Sequence, residues 1–469
     1  MSAPRSPARA PTRAPTRSTT RGQSRGPGRR PAGTSRNTTK SERLRPGAFH
    51  ATIVGHAEAL LDEILLFAAP ADAVTTRYFR AHPVLGHRDR GLIAESVFAV
   101  LRAKLEFAQL AQSGSGALTR RLVLLGLAAT AGVEPIAATL DTSERAWLRR
   151  VATIDRTAQS FETRCNFPDW LLTALRTRFD DAEIETLAAA LNRPAPLDLR
   201  VNTMTTTRDD ALAALRDMAI SAEPTRLAPS GIRVAGKPAL ADQAIFKNGG
   251  VEVQDEGSQL LAYLVAPRRG ELVVDFCAGA GGKTLALGAL MRSTGRLYAI
   301  DVSAKRLARL KPRLARSGLS NVHPVGIDSE RDPKLKRLAG KADRVLVDAP
   351  CSGLGTLRRN PDLKWRQTHS AIAELAAKQT AILAAAAKLV RPGGRLVYAT
   401  CSLLDEENGA IVAAFLADHP HFEIEDAGEI LRAQGIAIAE SVEGKPELEL
   451  WPHRTDTDGF FAMALRRRS

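Results

Sequence analysis

Cysteine is scarce in this chain: four in 469 residues, at positions 165, 277, 351 and 401. No two stand at the CxxC spacing of a zinc or dithiol redox site. The nine histidines show no ligand spacing either, so no metal is expected. No secretory signal is recognisable, so reduced thiols in a cytoplasm are the expected state. Long apolar runs are missing too. The longest, near Ala381–Val390, is interrupted by Lys388 and falls short of the roughly 18 residues of a membrane span. It reads as a helix of a soluble core.

Acidic residues are nearly absent from the start of the chain. Residues 1–45 hold 12 Lys/Arg against the single acid Glu42, and so carry +11 of the net +15. The stretch is rich in Pro, Gly, Ser, Thr and Arg and buries too little apolar surface to offset its ordering entropy, so disorder is expected. A basic arm for a phosphate backbone and an extension without a specific role remain open. A transit peptide should be amphipathic, and the frequent Pro and lone Leu44 argue against one.

What is present beyond the tail fits two or three domains. From Phe49 to Arg156 apolar residues recur three and four apart, as in Ala57–Phe67 and Leu92–Leu110, which predicts a helical bundle. From Ser160 to Lys247 the pattern is mixed. Leu197–Val201 reads as a strand, and Thr207–Asp210 as a polar helix start before Ala211–Met218. From Gly249 on, short Val/Leu/Ile-rich segments predict strands at Leu272–Asp275, Leu297–Val302, Val322–Ile327, Arg344–Asp348 and Leu396–Thr400. Helical patterns, notably Lys305–Leu314 and Ala371–Val390, lie between them, and Phe460–Leu465 is a last strand. The fold class is α/β: a doubly wound, Rossmann-like parallel sheet, preceded by a small α+β subdomain and an all-α domain.

In such a sheet ligands lie beyond the carboxyl ends of the strands. The first strand runs into Asp275-Phe276-Cys277-Ala278-Gly279-Ala280-Gly281-Gly282-Lys283-Thr284. A dinucleotide fingerprint would need Gly where Thr284 stands, and a P-loop would need Gly where Cys277 stands. Asp301 ends the second strand, placed for two ribose hydroxyls, and Asp328 ends the third, near an adenine or amino group. A glycine loop with a ribose acid but no pyrophosphate fingerprint fits an adenosyl ligand. A turn or cap role for Asp328 remains open.

Two further strands run into thiols, Asp348-Ala349-Pro350-Cys351-Ser352-Gly353 and Ala399-Thr400-Cys401-Ser402. One isolated cysteine would read as packing; two on the active edge, one beside Asp348, read as chemistry. Carbon 5 of cytosine is a poor nucleophile until a thiolate adds to carbon 6 and makes it enamine-like. Asp348 is placed to act on the N3 side of the ring.

These residues together resemble the Sun-type RNA cytosine-C5 methyltransferases. The resemblance runs from Leu199 to the C-terminus. It includes Leu199-Arg200-Val201-Asn202, Val253–Gln259, Cys277–Thr284, the Asp348–Gly353 segment with Leu357–Asp362, Ala399–Ser402, Glu406-Glu407-Asn408 and Asp458–Phe461. Many members have Pro where Ala280 stands.

The resemblance implies Cys401 as nucleophile, Cys351 as the group assisting product release, and Asp348 as a cytosine contact. It implies that Cys277, Ala278, Gly279, Ala280, Gly281, Gly282, Lys283, Asp301, Arg306, Asp328 and Asp348 hold S-adenosylmethionine. The N-terminal helices, with Leu85–Arg102 the best local match, resemble the NusB-like domain of the members acting on bacterial 16S ribosomal RNA.

The expected division is a disordered basic tail over 1–47, a helical NusB-like domain over 48–158, an α+β RNA-binding subdomain over 159–247 and a methyltransferase domain over 248–469. The expected partner is 16S ribosomal RNA or a small-subunit precursor, with no membrane and a monomeric protein in the cytoplasm. Arg358, Arg359, Lys364 and Trp365 read either as a phosphate-and-base surface or as a solvated basic loop. Gln254 and Asp255 read as a possible helix cap, and Cys165 and Cys277 as packing residues. An N-methyltransferase would need an Asn or Asp followed by Pro-Pro and an aromatic, which Ala349-Pro350-Cys351 is not. A noncatalytic RNA-binding assembly factor would be expected to lose Cys401, Asp348 or the glycine loop.

Overall fold

A computed structural model describes residues 51–236, 238–437 and 445–469, all within one compact unit. The basic tail lies outside the described residues. Helices occupy Ala51–Leu65, Ala71–Ala81, His87–Arg102, Lys104–Ala111, Leu118–Ala131 and Thr142–Ala152, in the stretch where the sequence predicts a bundle. Their apolar faces meet in one core that includes Leu60, Ile64, Ile93, Val97, Leu124 and Leu127. None of the described helices is long and apolar enough to cross a membrane.

A four-stranded antiparallel sheet follows, built from β1 (Leu197–Val201), β2 (Ala222–Pro224), β3 (Gly231–Val234) and β4 (Val251–Val253) in the order β2-β3-β1-β4. Leu199, Val201, Ile232 and Val234 pack on Ala211 and Leu215 of the helix Arg208–Asp217. Thr207 caps that helix by accepting from the Asp210 N–H at 3.2 Å.

The large sheet comprises β5 (Leu272–Asp275), β6 (Arg296–Asp301), β7 (Val322–Gly326), β8 (Ala342–Asp348), β9 (Val390–Thr400), β10 (Phe422–Glu425), β11 (Leu448–Leu450) and β12 (Phe460–Arg467). Its order is β10-β12-β9-β8-β5-β6-β7, with β11 paired to β12. Strands β5 to β9 are parallel; β10, β11 and β12 join antiparallel. Successive residues alternate between two cores, as expected of strands covered on both faces. Val273, Leu297, Ala299 and Val397 meet the helices Glu256–Val265, Gly282–Leu290 and Ala304–Ser317. Val274, Ile300, Tyr398 and Leu396 meet His369–Ala387 and Gly409–Asp418. The chain leaves β5 for β6 and β7 on one side and returns through β8 and β9 on the other. The β5/β8 junction is therefore the switch point where a ligand crevice opens.

The largest boundary difference from the sequence reading lies before β9. The expected helix Ala371–Val390 ends at Ala387, and β9 begins at Val390 rather than Leu396. The apolar run through Leu389 and Val390 continues the helical pattern, but Val390 pairs with Ala342 across the sheet. Periodicity within the run contains no sign of that tertiary pairing.

Candidate active site

The glycine loop owes its shape to two left-handed residues, Gly279 at φ 56° and Gly281 at φ 84°. A Cβ at Gly281 would stand 2.2 Å from Leu310, so helix Ala304–Ser317 closes on the loop only if that position is glycine. Arg313 ties the same helix to the loop by donating to the Ala280 carbonyl at 2.7 Å. The loop begins at Asp275, fully buried at the end of β5, which accepts from Thr284 Oγ1 at 2.7 Å. Burial, resisted by that hydrogen bond, pushes Asp275 up to about 7.

Beyond the strand ends lies a cavity of about 490 Å³, within the range of small-molecule sites. Of the eleven positions expected to hold a methyl donor, nine line it; Gly281 and Asp328 do not. Gly281 is turned against Leu310. Asp328 is exposed, with Ile327 and Glu330 from the same segment facing the cavity instead. Asp301 is 2% exposed and accepts from the Gly279 N–H at 2.8 Å, the Ser303 N–H at 2.7 Å and Arg306 Nη2 at 3.1 Å. Those bonds take three of about four acceptor positions on a carboxylate. Arg306, half exposed, is the partner able to yield to a ribose hydroxyl. These residues fit an adenosyl ligand.

Across the cavity Lys283 Nζ donates to Asp348 Oδ2 at 2.8 Å and stands 5.6 Å from the centre of the Phe460 ring. Burial alone would lower the Lys283 ammonium, but the charge and hydrogen bond of Asp348, with a smaller contribution from Cys401, hold it above its ordinary value. Cys351 and Cys401 both line the cavity, with their sulfurs 3.4 Å apart. The parallel register of β8 and β9 explains the approach: Asp348 pairs with Ala399, so the two loops leave side by side. The hydrogen bond to Cys401 and then burial raise Cys351 well above the usual thiol value. Cys165 is fully buried, and burial pushes it up to about 12. Cys277 lines the cavity, and burial followed by the charge of Asp348 raises its thiol.

The structure corrects the reading of Arg358, Arg359, Lys364 and Trp365 as a nucleic-acid surface or solvated loop. Arg358 is 1% exposed and ion-paired to Asp456 at 2.8 Å and Asp458 at 3.4 Å. Arg359 bridges Asp255 at 3.0 Å and Asp458 at 2.6 Å. Lys364 is fully buried, donating to the Arg102 carbonyl at 3.0 Å and Asn192 Oδ1 at 2.6 Å. Trp365 Nε1 donates to the Leu101 carbonyl at 2.8 Å. Lys364 and Trp365 fasten the helix His87–Arg102 to the α/β part, and Arg358 and Arg359 tie together segments within it.

Asp255 caps the helix Glu256–Val265 by accepting from the Gly257 N–H at 2.8 Å. Gln254 instead lines the cavity and accepts from Arg200 Nε at 2.6 Å. The residue-by-residue reading missed Phe460, Lys378, Arg313 and Glu330 as cavity residues. Phe460 falls within the Asp458–Phe461 segment that the resemblance covers; the other three carry no signal beyond charge.

The glycine loop, the buried acid Asp301 at the end of β6 and the switch-point cavity fit the Rossmann-like fold of an S-adenosylmethionine-dependent methyltransferase. The chain belongs to the 16S rRNA methyltransferase RsmB/F family, whose model matches residues 262–466, and residues 167–240 match the ferredoxin-like domain of RsmF/B-like methyltransferases. It is 32% identical over 404 residues to ribosomal RNA small subunit methyltransferase B of Sodalis glossinidius, covering 80% of this chain and 89% of that one. It is 36% identical over 315 residues to the probable ribosomal RNA small subunit methyltransferase B of Synechocystis, covering 67% and 70%. The solved structure of PH0851 superposes with a TM-score of 0.71 at 25% identity, over 90% of this chain and 99% of that one.

Proposed function

We propose that this RNA methyltransferase places its methyl group on carbon 5 of a cytosine in 16S ribosomal RNA or a small-subunit precursor. In this reading it acts as a cytoplasmic monomer, with residues 48–158 and 159–247 as NusB-like and RNA-binding domains around the catalytic domain. The observation that carries the reading is the pair of thiols, 3.4 Å apart, in one cavity with the Lys283–Asp348 ion pair. Neither an N-methyltransferase nor a noncatalytic assembly factor needs that constellation.

S-adenosylmethionine, when bound, supplies an electrophilic methyl on a sulfonium. The glycine loop, Asp301 and Arg306 hold it on one side of the cavity. Cys401 adds as thiolate to carbon 6 of the base, forming a C–S bond and moving the electron pair to carbon 5. Lys283 stands beside Asp348, donating to its carboxyl at 2.8 Å, and lines the same cavity as Cys401. Asp348 is placed to carry a proton to N3 of the ring, and it is that proton on N3 which makes carbon 6 more electrophilic. After methyl transfer the carbon-5 proton passes to water, the C–H pair forms the C5–C6 double bond, and the C–S bond breaks with its pair returning to the Cys401 sulfur. Cys351 assists this release.

The two cysteines therefore fail differently. Cys401→Ala should bind donor and RNA yet form neither product nor adduct. Cys351→Ala should attack and methylate but stall, accumulating a protein–RNA adduct that survives denaturing electrophoresis; the double variant should accumulate none. An adduct with Cys401→Ala and none with Cys351→Ala reverses the roles. Repeated turnover at the wild-type rate by either single variant excludes the two-thiol mechanism.

A further inference from the structure

The chemistry above depends on two loops outside regular secondary structure keeping their thiols in contact. The residues that follow the cysteines, Ser352 and Ser402, meet Oγ to Oγ at 3.1 Å. Glu407, on the short turn Asp405–Glu407 and fully buried, joins both loops. Its Oε1 accepts from the Ser352 N–H at 2.8 Å and from Gln379 Nε2 at 2.9 Å, and its Oε2 accepts from the Ser402 hydroxyl. Its own carbonyl accepts from the Tyr398 hydroxyl at 2.6 Å. Every one of these donors is neutral. A buried carboxylate served only by neutral donors carries a desolvation cost that a glutamine would avoid while keeping most of the contacts. What the carboxylate adds is charge, one residue from Cys351.

We propose that Glu407 is a positioning residue: it clamps the Cys351 loop to the Cys401 loop and sets a negative charge beside Cys351, so that Cys351 stays a thiol while Cys401 attacks. This rests on the two-thiol reading. The high position of the Cys351 thiol agrees with it, the charge of Glu407 adding to the hydrogen bond from Cys401 and to burial. The other charged or titratable groups that line this cavity are Lys283 and Asp348, Lys378 on the helix His369–Ala387, Cys277 on the glycine loop, and, toward the donor end, Asp275, Asp301, Arg306, Arg313 and Glu330, with Tyr398 on β9 beneath the thiols.

The test uses the full-length protein and reads each cysteine separately, by mass spectrometry of iodoacetamide-labelled peptides between pH 7 and 11. Glu407→Gln should raise the alkylation rate of Cys351 at pH 9 by about three- to tenfold, as removal of a charge at close range lowers a thiol pKa by up to about a unit. Cys277 should react at its wild-type rate. The turnover number should fall at least tenfold, with the KM for the donor within twofold of wild type. Cys351 reactivity and turnover both at wild-type levels would overturn the proposal. So would a rise shared by Cys277, which would mean that the loops had merely loosened. Should Glu407→Gln not fold, Ser402→Ala removes the hydroxyl by which Glu407 holds the Cys401 loop and keeps the carboxylate; wild-type turnover in that variant would overturn it equally. Alkylation needs neither RNA nor donor, so it still decides the role of Glu407 if the wild-type protein proves not to methylate cytosine.

Discussion

Arg358→Ala separates a structural clamp from a nucleic-acid contact. The guanidinium is 1% exposed and sits among Asp456 at 2.8 Å, Asp458 at 3.4 Å and Asp255 at 4.0 Å. Removing one partner of a buried ion-pair network costs about 3–5 kcal/mol. Arg359 still reaches both Asp255 and Asp458, which places the expected loss near the lower end, about 3 kcal/mol. Asp255 caps the helix Glu256–Val265, and Asp458 precedes β12. The loss should therefore appear as local opening there, with amides of that helix and of β12 exchanging about a hundredfold faster, since each 1.4 kcal/mol is a factor of ten. Hydrogen exchange with peptide mass analysis measures this directly. The slope of RNA affinity against log salt should stay at its wild-type value, because no phosphate contact is lost. Unchanged exchange together with a slope reduced by about one would refute the reasoning and return Arg358 to the RNA surface.

Asp301→Ala should weaken S-adenosylmethionine binding roughly tenfold or more, each charge-assisted bond contributing on the order of 1.5–3 kcal/mol; unchanged affinity in calorimetry would remove Asp301 from the site. Asp275, raised by burial to about 7 from an unfolded value near 4, holds its proton more tightly in the native state. The stability it confers is fully present below about pH 4 and is lost as pH rises through about 7. Asp275→Asn should thus flatten the decline of the urea midpoint between pH 5 and 8; parallel declines in wild type and variant would show that the group does not titrate in this window.

The sequence alone determined the class of fold and most of the cavity. Strand periodicity, the glycine spacing and the acids at strand ends are local patterns, and a doubly wound sheet brings strand ends to one edge whatever the helices between them do. That is why Cys277–Lys283, Asp301, Asp348, Cys351 and Cys401 were legible before any coordinates, Gly281 alone of the loop serving the packing against Leu310 rather than the cavity wall. The tertiary structure decided what depends on partners distant in the chain. Lys283 finds Asp348 across 65 positions, and Arg358 and Lys364, basic and loop-like in sequence, are buried by Asp456, Asp458, Asn192 and the Arg102 carbonyl. Val390 leaves its helical pattern to pair with Ala342, and Glu407 reaches the backbone of Ser352 over 55 positions. A charged side chain looks the same in sequence whether water or a buried counter-charge solvates it, and only the fold determines which does.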